Sequence, residues 1–253
     1  MRLAISSWGL RNLVNRDWPL ARLAAECKAH TGIADVELCQ QHFQRQDARY
    51  LDEVVQGLEE AGGRCVNMPV DVGNISRADD RARAHDLKVI EGWIRVAAYI
   101  GCPMVRVNTG GAQDEGALDR VAASYRHLAD FGAEHGVNIL LENHGGLSND
   151  PGHVQALLER VGGDRLGLCP DFGNFEEAVR YDSLAAMLPH ARIVHAKYNQ
   201  PGADGAQWDW PRCVQIVKSS GFDGIVSIEI GRHIDPWQSI AEALALWRGQ
   251  EPA

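Results

Sequence analysis

The chain has 253 residues, 45% of them hydrophobic, and its 34 acidic against 25 basic side chains give a formal charge of −9. That length suits one closed α/β barrel around a large core. The acidic balance offers no electrostatic footprint for a phosphodiester backbone, which argues against a nucleic-acid partner, and no apolar run reaches membrane-spanning length.

Strand-like runs are predicted in chain order at Leu3–Ser7, Ala34–Cys39, Cys65–Pro69, Met104–Asn108, Asn138–Glu142, Leu166–Asp171, Ile193–Lys197 and Ile225–Ile230. The clearest of them are β-branched or leucine-rich, which is how a parallel strand covered on both faces reads. Helix-period stretches lie between them at Trp18–His30, Ala48–Ala61, Arg77–Ile100, Glu115–His135, Pro151–Val161, Ser183–Leu188, Trp210–Ser219 and Pro236–Arg248. Glycines follow most of these stretches, at Gly32, Gly62–Gly63, Gly101, Gly136, Gly162–Gly163 and Gly221, as left-handed C-caps require. Asp150-Pro151 and Asp235-Pro236 read as N-cap and first-turn proline. Strict alternation of eight strands and eight helices predicts a (β/α)8 TIM barrel, one domain over residues 1–253. An open doubly wound sheet would call for a glycine-rich phosphate loop after an early strand, and Ile5-Ser6-Ser7-Trp8-Gly9 supplies none.

The six cysteines (Cys27, Cys39, Cys65, Cys102, Cys169, Cys213) show no CxxC spacing and read as small buried hydrophobes rather than a disulfide framework or zinc site. The opening MRLAISSWGL is too short and polar for a signal peptide, so a cytoplasmic protein is expected.

The last four strand-like runs each end in a metal-binding side chain: Glu142, Asp171, His195 and Glu229. In a barrel these tips lie side by side at the mouth where function gathers. Three carboxylates there repel one another unless a cation or proton is present, and Lys197 offers only partial neutralisation. Three carboxylates and one imidazole suit one divalent cation: Mn2+, Mg2+ or Co2+ first, with Zn2+ and Fe2+ compatible.

With that Glu–Asp–His–Glu series, the chain resembles along its whole length the xylose-isomerase-like barrels, a family of sugar phosphate isomerases and epimerases. In the keto-sugar 3-epimerases of that family the four positions bind one divalent metal, and the two glutamates are also the acid/base pair. The resemblance therefore implies those roles for Glu142, Asp171, His195 and Glu229. Two features depart from the epimerase pattern. Its D-x-x-H stands here as Asp171-Phe172-Gly173-Asn174, and Tyr198-Asn199-Gln200-Pro201 follows the strand-seven region without the substrate-binding Arg. The family's apurinic endonucleases carry a histidine-rich three-metal cluster; here those places hold Asn67, Met68, Asn108, Asn174 and Trp208-Asp209-Trp210, which excludes such a cluster.

One cation of this kind stabilises the enediolate formed when a proton leaves the carbon next to a sugar carbonyl. Glu142 and Glu229 stand on either side as acid/base pair, which gives isomerisation or epimerisation of a sugar or keto-sugar. Glu142-Asn143-His144 suggests a second chemistry, because alternation puts His144 on the side of Glu142. The dehydroshikimate dehydratases of the resembled family use the His of such an E-x-H to start β-elimination. A sugar-binding barrel without catalysis is the third reading.

Lys197, two residues beyond His195, is expected to face inward, toward a substrate oxygen or the carboxylates. Glu37 is expected to pair with Arg106 or Lys197. Trp8, His42 and Trp208 are assigned to the pocket wall, and Asn67, Asn108, Asn143, Asn174 and Arg232 to substrate contacts. No basic cluster is evident, which favours an unphosphorylated sugar. A homo-oligomer is left open.

Overall fold

Eight parallel strands run β1 Arg2–Ser6, β2 Val36–Glu37, β3 Cys65–Val70, β4 Met104–Val107, β5 Asn138–Glu142, β6 Leu166–Cys169, β7 Ile193–Tyr198 and β8 Ile225–Ile230. The computed structural model describes residues 1–162 and 164–250. Hydrogen bonding orders the strands β6-β5-β4-β3-β2-β1-β8-β7. The two end strands meet through the bridges Leu168–Ala191 and Asp171–His195. There Phe172 N donates to the His195 carbonyl at 3.1 Å and His195 N to that of Pro170 at 3.0 Å. The sheet is thus nearly closed, and the expected (β/α)8 barrel is the architecture found.

The helices are α1 Leu23–Thr31, α2 Ala48–Ala61, α3 Asp80–Tyr99, α4 Ala117–Glu134, α5 Pro151–Val161, α6 Glu177–Met187, α7 Trp210–Ser219 and α8 Pro236–Arg248. Local chemistry accounts for their ends. Asp150 accepts from the Gly152 and His153 amides ahead of α5, and Asp235 from that of Gln238 at α8, each before a first-turn proline. α2 buries Tyr50, Leu51, Val54, Leu58 and Ala61 at helical spacing and stops at Gly62 in the left-handed region, φ 69°. The predicted cap residue Gly163 lies outside the described residues. Three elements differ most from expectation. α1 begins at Leu23, after a 3-10 turn over Leu20–Arg22, rather than at Trp18. α6 begins at Glu177 rather than Ser183, since its first turn exposes Ala178 and Val179 and buries Arg180, which hides the helical period. β2 has two residues instead of six, because a register shift at Val36/Glu37 interrupts its pairing with β3. No helix of the described residues is long and apolar enough to cross a membrane.

The barrel interior is layered by the two-residue period of the strands. Ala4, Val66, Met104, Leu140, Cys169, Ile193 and Ile225 form a separate apolar cluster with one residue from every strand except β2. Two residues further along come Arg106, Glu142, His195 and Ser227. Two more bring Asn108, His144, Lys197 and Glu229. An apolar floor thus carries a buried polar layer, and above it the barrel opens.

Candidate active site

Glu142, Asp171, His195 and Glu229 each offer a ligand atom, and these atoms lie within 4.8 Å of one another, all on buried residues. His195 sits between the acids. Its Nδ1 is 2.9 Å from Glu142 Oε1 and 3.3 Å from Glu229 Oε2, and its Nε2 is 2.8 Å from Glu37 Oε2. Burial opposes charge on this imidazole, but Glu37, Glu142 and Glu229 outweigh it and lift His195 well above the ordinary histidine range.

Glu37 therefore pairs with His195, not with Arg106 or Lys197 as expected. Its carboxylate, fully buried, also accepts from Asn67 Nδ2 at 2.6 Å and Ser227 Oγ at 2.8 Å. Burial works against ionisation of Glu37, yet His195, Asn67 and Ser227 together hold its carboxyl below the usual range. This is a carboxylate–imidazole arrangement of the sort that orients a metal-ligating histidine.

Arg106 is committed to the other side of the cluster. Its Nε lies 3.0 Å from Glu142 Oε2, off the line of a directed hydrogen bond, and its Nη1 bonds Asp71 Oδ1 and Asn108 Oδ1 at 2.6 Å each. Burial disfavours the Glu142 anion, but His195 and Arg106 reverse this and keep it ionised far below the ordinary range.

Asp171 is the least compensated member, with only the Lys197 ammonium 3.9 Å from its Oδ2. Its Oδ1 accepts from the Gly173 amide at 2.7 Å, while the buried Oδ2 has no hydrogen-bond partner. Burial pushes this carboxyl up to about 7, against the pull of Lys197 and with added push from Glu229 and Glu142. A buried carboxyl oxygen without a hydrogen bond, among three further oxygen and nitrogen donors, fits one divalent cation, held by Glu142, Asp171, His195 Nδ1 and Glu229.

The cluster opens to a cavity walled by Trp8, Asp71, Arg106, His144, Lys197 and Glu229. Lys197 donates to Asn174 Oδ1 at 2.9 Å and lies 3.4 Å from Glu229 Oε1. Burial would lower its ammonium, but Asp171, Glu229 and Glu142 drive it above its ordinary value. Asn174, which stands where the epimerase pattern has His, also reaches Glu142 Oε1 with its amide at 3.4 Å. The His144 ring is exposed on the cavity wall, and its backbone amide is fixed by Ser148 Oγ at 2.9 Å.

Several residues assigned to the wall or to substrate serve elsewhere. His42 is buried with Nδ1 3.0 Å from Ser7 Oγ, outside the cavity lining. Trp208 packs on Gly173, where a Cβ would come within 2.5 Å of its ring, and lies under the Arg180 guanidinium. Asn67 is spent on Glu37. Asn143 exchanges two bonds with the Asp171 backbone, its Oδ1 accepting at 2.7 Å and its Nδ2 donating at 3.1 Å, and so holds the tip of β6. Asn108 remains half-buried beside Asp71. Arg11, given no role from the sequence, lies close to Arg232 in the hollow next to the cavity. A basic residue three positions past Trp8, in the loop after the first strand, was its one available signal.

Residues 24–250 match the family model of the xylose isomerase-like TIM barrel. No curated protein matches the chain in sequence. Among solved structures, 3-keto-D-glucoside 4-epimerase from E. coli superposes with a TM-score of 0.78 over 98% of this chain and 99% of its own, at 18% identity. The probable 3-DHS dehydratase of petrobactin synthesis from Bacillus anthracis gives 0.75 over 97% and 98%, at 17% identity. D-allulose 3-epimerase from Methylomonas sp. gives 0.77 over 98% and 97%, at 15% identity. At such identities the likeness is one of fold.

Proposed function

The chain belongs to the xylose isomerase-like TIM barrel family, and from that premise we propose that it is a divalent-metal-dependent isomerase or epimerase of a sugar or keto-sugar. The observation that carries this reading is the buried Glu142–Asp171–His195–Glu229 cluster, with its unpartnered Asp171 Oδ2, at the floor of a cavity that Glu229 and Lys197 enter. The epimerases of the same fold support it. When bound, the cation supplies Lewis acidity to a substrate carbonyl and its neighbouring hydroxyl.

The chain's own groups do the rest. Glu229 lines the cavity and takes the proton from the carbon next to the carbonyl. Glu142, kept ionised by His195 and Arg106, is the second base, at the opposite end of the arc of strand tips. In isomerisation Glu229 returns the proton it took to the neighbouring carbon, and in epimerisation the glutamate facing the other side delivers a proton it has first taken up from solvent. Lys197 hydrogen-bonds a substrate oxygen, and Asn174 orients its ammonium. Trp8 gives the apolar wall against which a sugar face packs.

The test is deuterium uptake. Ketoses and 3-keto-glycosides incubated with the Mn2+-loaded protein in D2O should gain deuterium at the α-carbon, read by NMR. Glu142→Gln and Glu229→Gln should each keep much of their metal and lose on the order of 10²-fold in exchange, the contribution of a positioned base. Full exchange in both variants would remove the acid/base assignment.

One observation favours a dehydratase as the second reading. The exposed His144 ring faces the cavity and makes no hydrogen bond among the described residues. In that chemistry His144→Gln abolishes both exchange and the ultraviolet absorbance of a conjugated enone. In the isomerase, exchange survives in part and no enone forms.

A further inference from the structure

The cavity does not end at Trp8 and Lys197. Those two residues also bound a second hollow, lined by Arg11, Asn199, Gly231 and Arg232. Arg11 and Arg232 in turn wall a third, which reaches His233 and Asp204 at the surface. The three hollows adjoin one another across these shared walls, so two guanidinium groups stand beside the mouth of the carboxylate cluster.

Neither Arg11 nor Arg232 has a carboxylate within 4.0 Å among the described residues. Arg11 is nevertheless held in place. Its Nη1 donates to the Trp8 carbonyl at 2.8 Å and its Nη2 to that of Gly231 at 3.1 Å, and its guanidinium lies 4.7 Å from the Trp8 ring centre. Three of its five N–H donors stay free. Arg232 is exposed, with its backbone amide bonded to Asn199 Oδ1 at 2.9 Å. Gly231 keeps this corner open, since a Cβ there would sit 2.5 Å from Asn199 Oδ1. Burial, with the nearby Arg232 charge, lowers Arg11. Beside them both ring nitrogens of His233 are buried without a hydrogen-bond partner. Two unpaired cations and an unsatisfied imidazole in one groove make a ready seat for an oxyanion. The acidic groups around it are few: Asp204 at the outer rim, Asp235 near His233, and Glu229 inward.

We propose that this groove binds an anionic group, a carboxylate or a phosphate, carried by the substrate at the end away from its reacting carbonyl, with Arg11 and Arg232 as the specificity-determining residues. The proposal rests on the sugar isomerase/epimerase reading and narrows its substrate class to acidic sugars.

Calorimetry on the Mn2+-loaded chain tests it with D-fructose, D-fructose 6-phosphate and 5-keto-D-gluconate. At least one of the acidic sugars should bind about tenfold or more tighter than fructose, the fold-change of one charge-assisted hydrogen bond. Which one does so distinguishes phosphate from carboxylate. Arg232→Gln, at an exposed position, and Arg11→Gln should each erase most of that ratio. Equal affinity for neutral and acidic sugars overturns the proposal, as does a preference that survives in both variants. α-Proton exchange run on the same sugars separates the two readings: tighter acidic-sugar binding that both variants lose, without exchange on any sugar, supports the anion seat and removes the isomerase.

Discussion

Replacing Glu37 by Gln isolates the charge behind His195. Glu37 Oε2 accepts from His195 Nε2 at 2.8 Å and Asn67 Nδ2 at 2.6 Å, and Oε1 accepts from Ser227 Oγ at 2.8 Å. A glutamine whose oxygen takes the Oε2 place keeps the first two bonds. Its NH2 then faces Ser227, whose hydroxyl can turn and accept. All three contacts survive, so the metal-loaded fold, in which His195 is neutral, should lose no more than about 1 kcal/mol. What goes is the negative charge that makes the imidazole a better donor to a cation. Loss of such a supporting partner costs about 10–100-fold in metal affinity, roughly 1.4–2.7 kcal/mol. Glu37→Ala differs because it leaves the buried His195 and Asn67 donors unsatisfied, at about 1–3 kcal/mol each. It should therefore also lower the melting temperature of the metal-free protein. The assay is Mn2+ competition against a fluorescent chelator, with thermal melts of both variants. Glu37→Gln binding Mn2+ within twofold of the parent would refute the coupling through His195.

Three further outcomes are expected. Protein purified without chelator should carry about one divalent ion per chain, and Asp171→Ala should lose it; elemental analysis that finds full occupancy in that variant removes the four-residue site. Burial pushes the His42 imidazole from 6.5 down to about 4, so between those pH values the unfolded chain binds a proton that the folded chain refuses. Its contribution is fully present above pH 6.5 and drains away as pH falls toward 4, by on the order of 3 kcal/mol; His42→Gln should flatten that part of the urea-denaturation profile, and an unchanged slope contradicts the assignment. Gly173→Ala would place a methyl 2.5 Å from the Trp208 ring and should destabilise by about 1–3 kcal/mol in urea melts, whereas a neutral result would mean that Trp208 is not fixed there.

The barrel and its Glu–Asp–His–Glu cluster were legible in the chain because both depend on short-range regularities. Buried parallel strands write themselves as apolar runs, and the two-residue period carries a polar tip such as Glu142 or Glu229 to the same interior face as the apolar floor. The caps at Asp150, Asp235 and Gly62 are likewise local chemistry, readable residue by residue. α6 was blurred because its first turn exposes Ala178 and Val179 and buries Arg180, the reverse of an amphipathic pattern. What spacing cannot convey is which polar side chains consume one another. Glu37 lies 158 positions from His195, Arg106 is 36 from Glu142, and Asn143 is 28 from Asp171. Barrel closure alone brings each pair together. Composition likewise gave no hint of a basic corner, since Arg11 and Arg232 meet only where β1 hydrogen-bonds to β8 and the loops beyond them converge. The sequence by itself determined the donor types at four strand tips. The tertiary structure decided which groups stay free for a ligand, because a hydrogen bond or an ion pair depends on distances that ring closure sets.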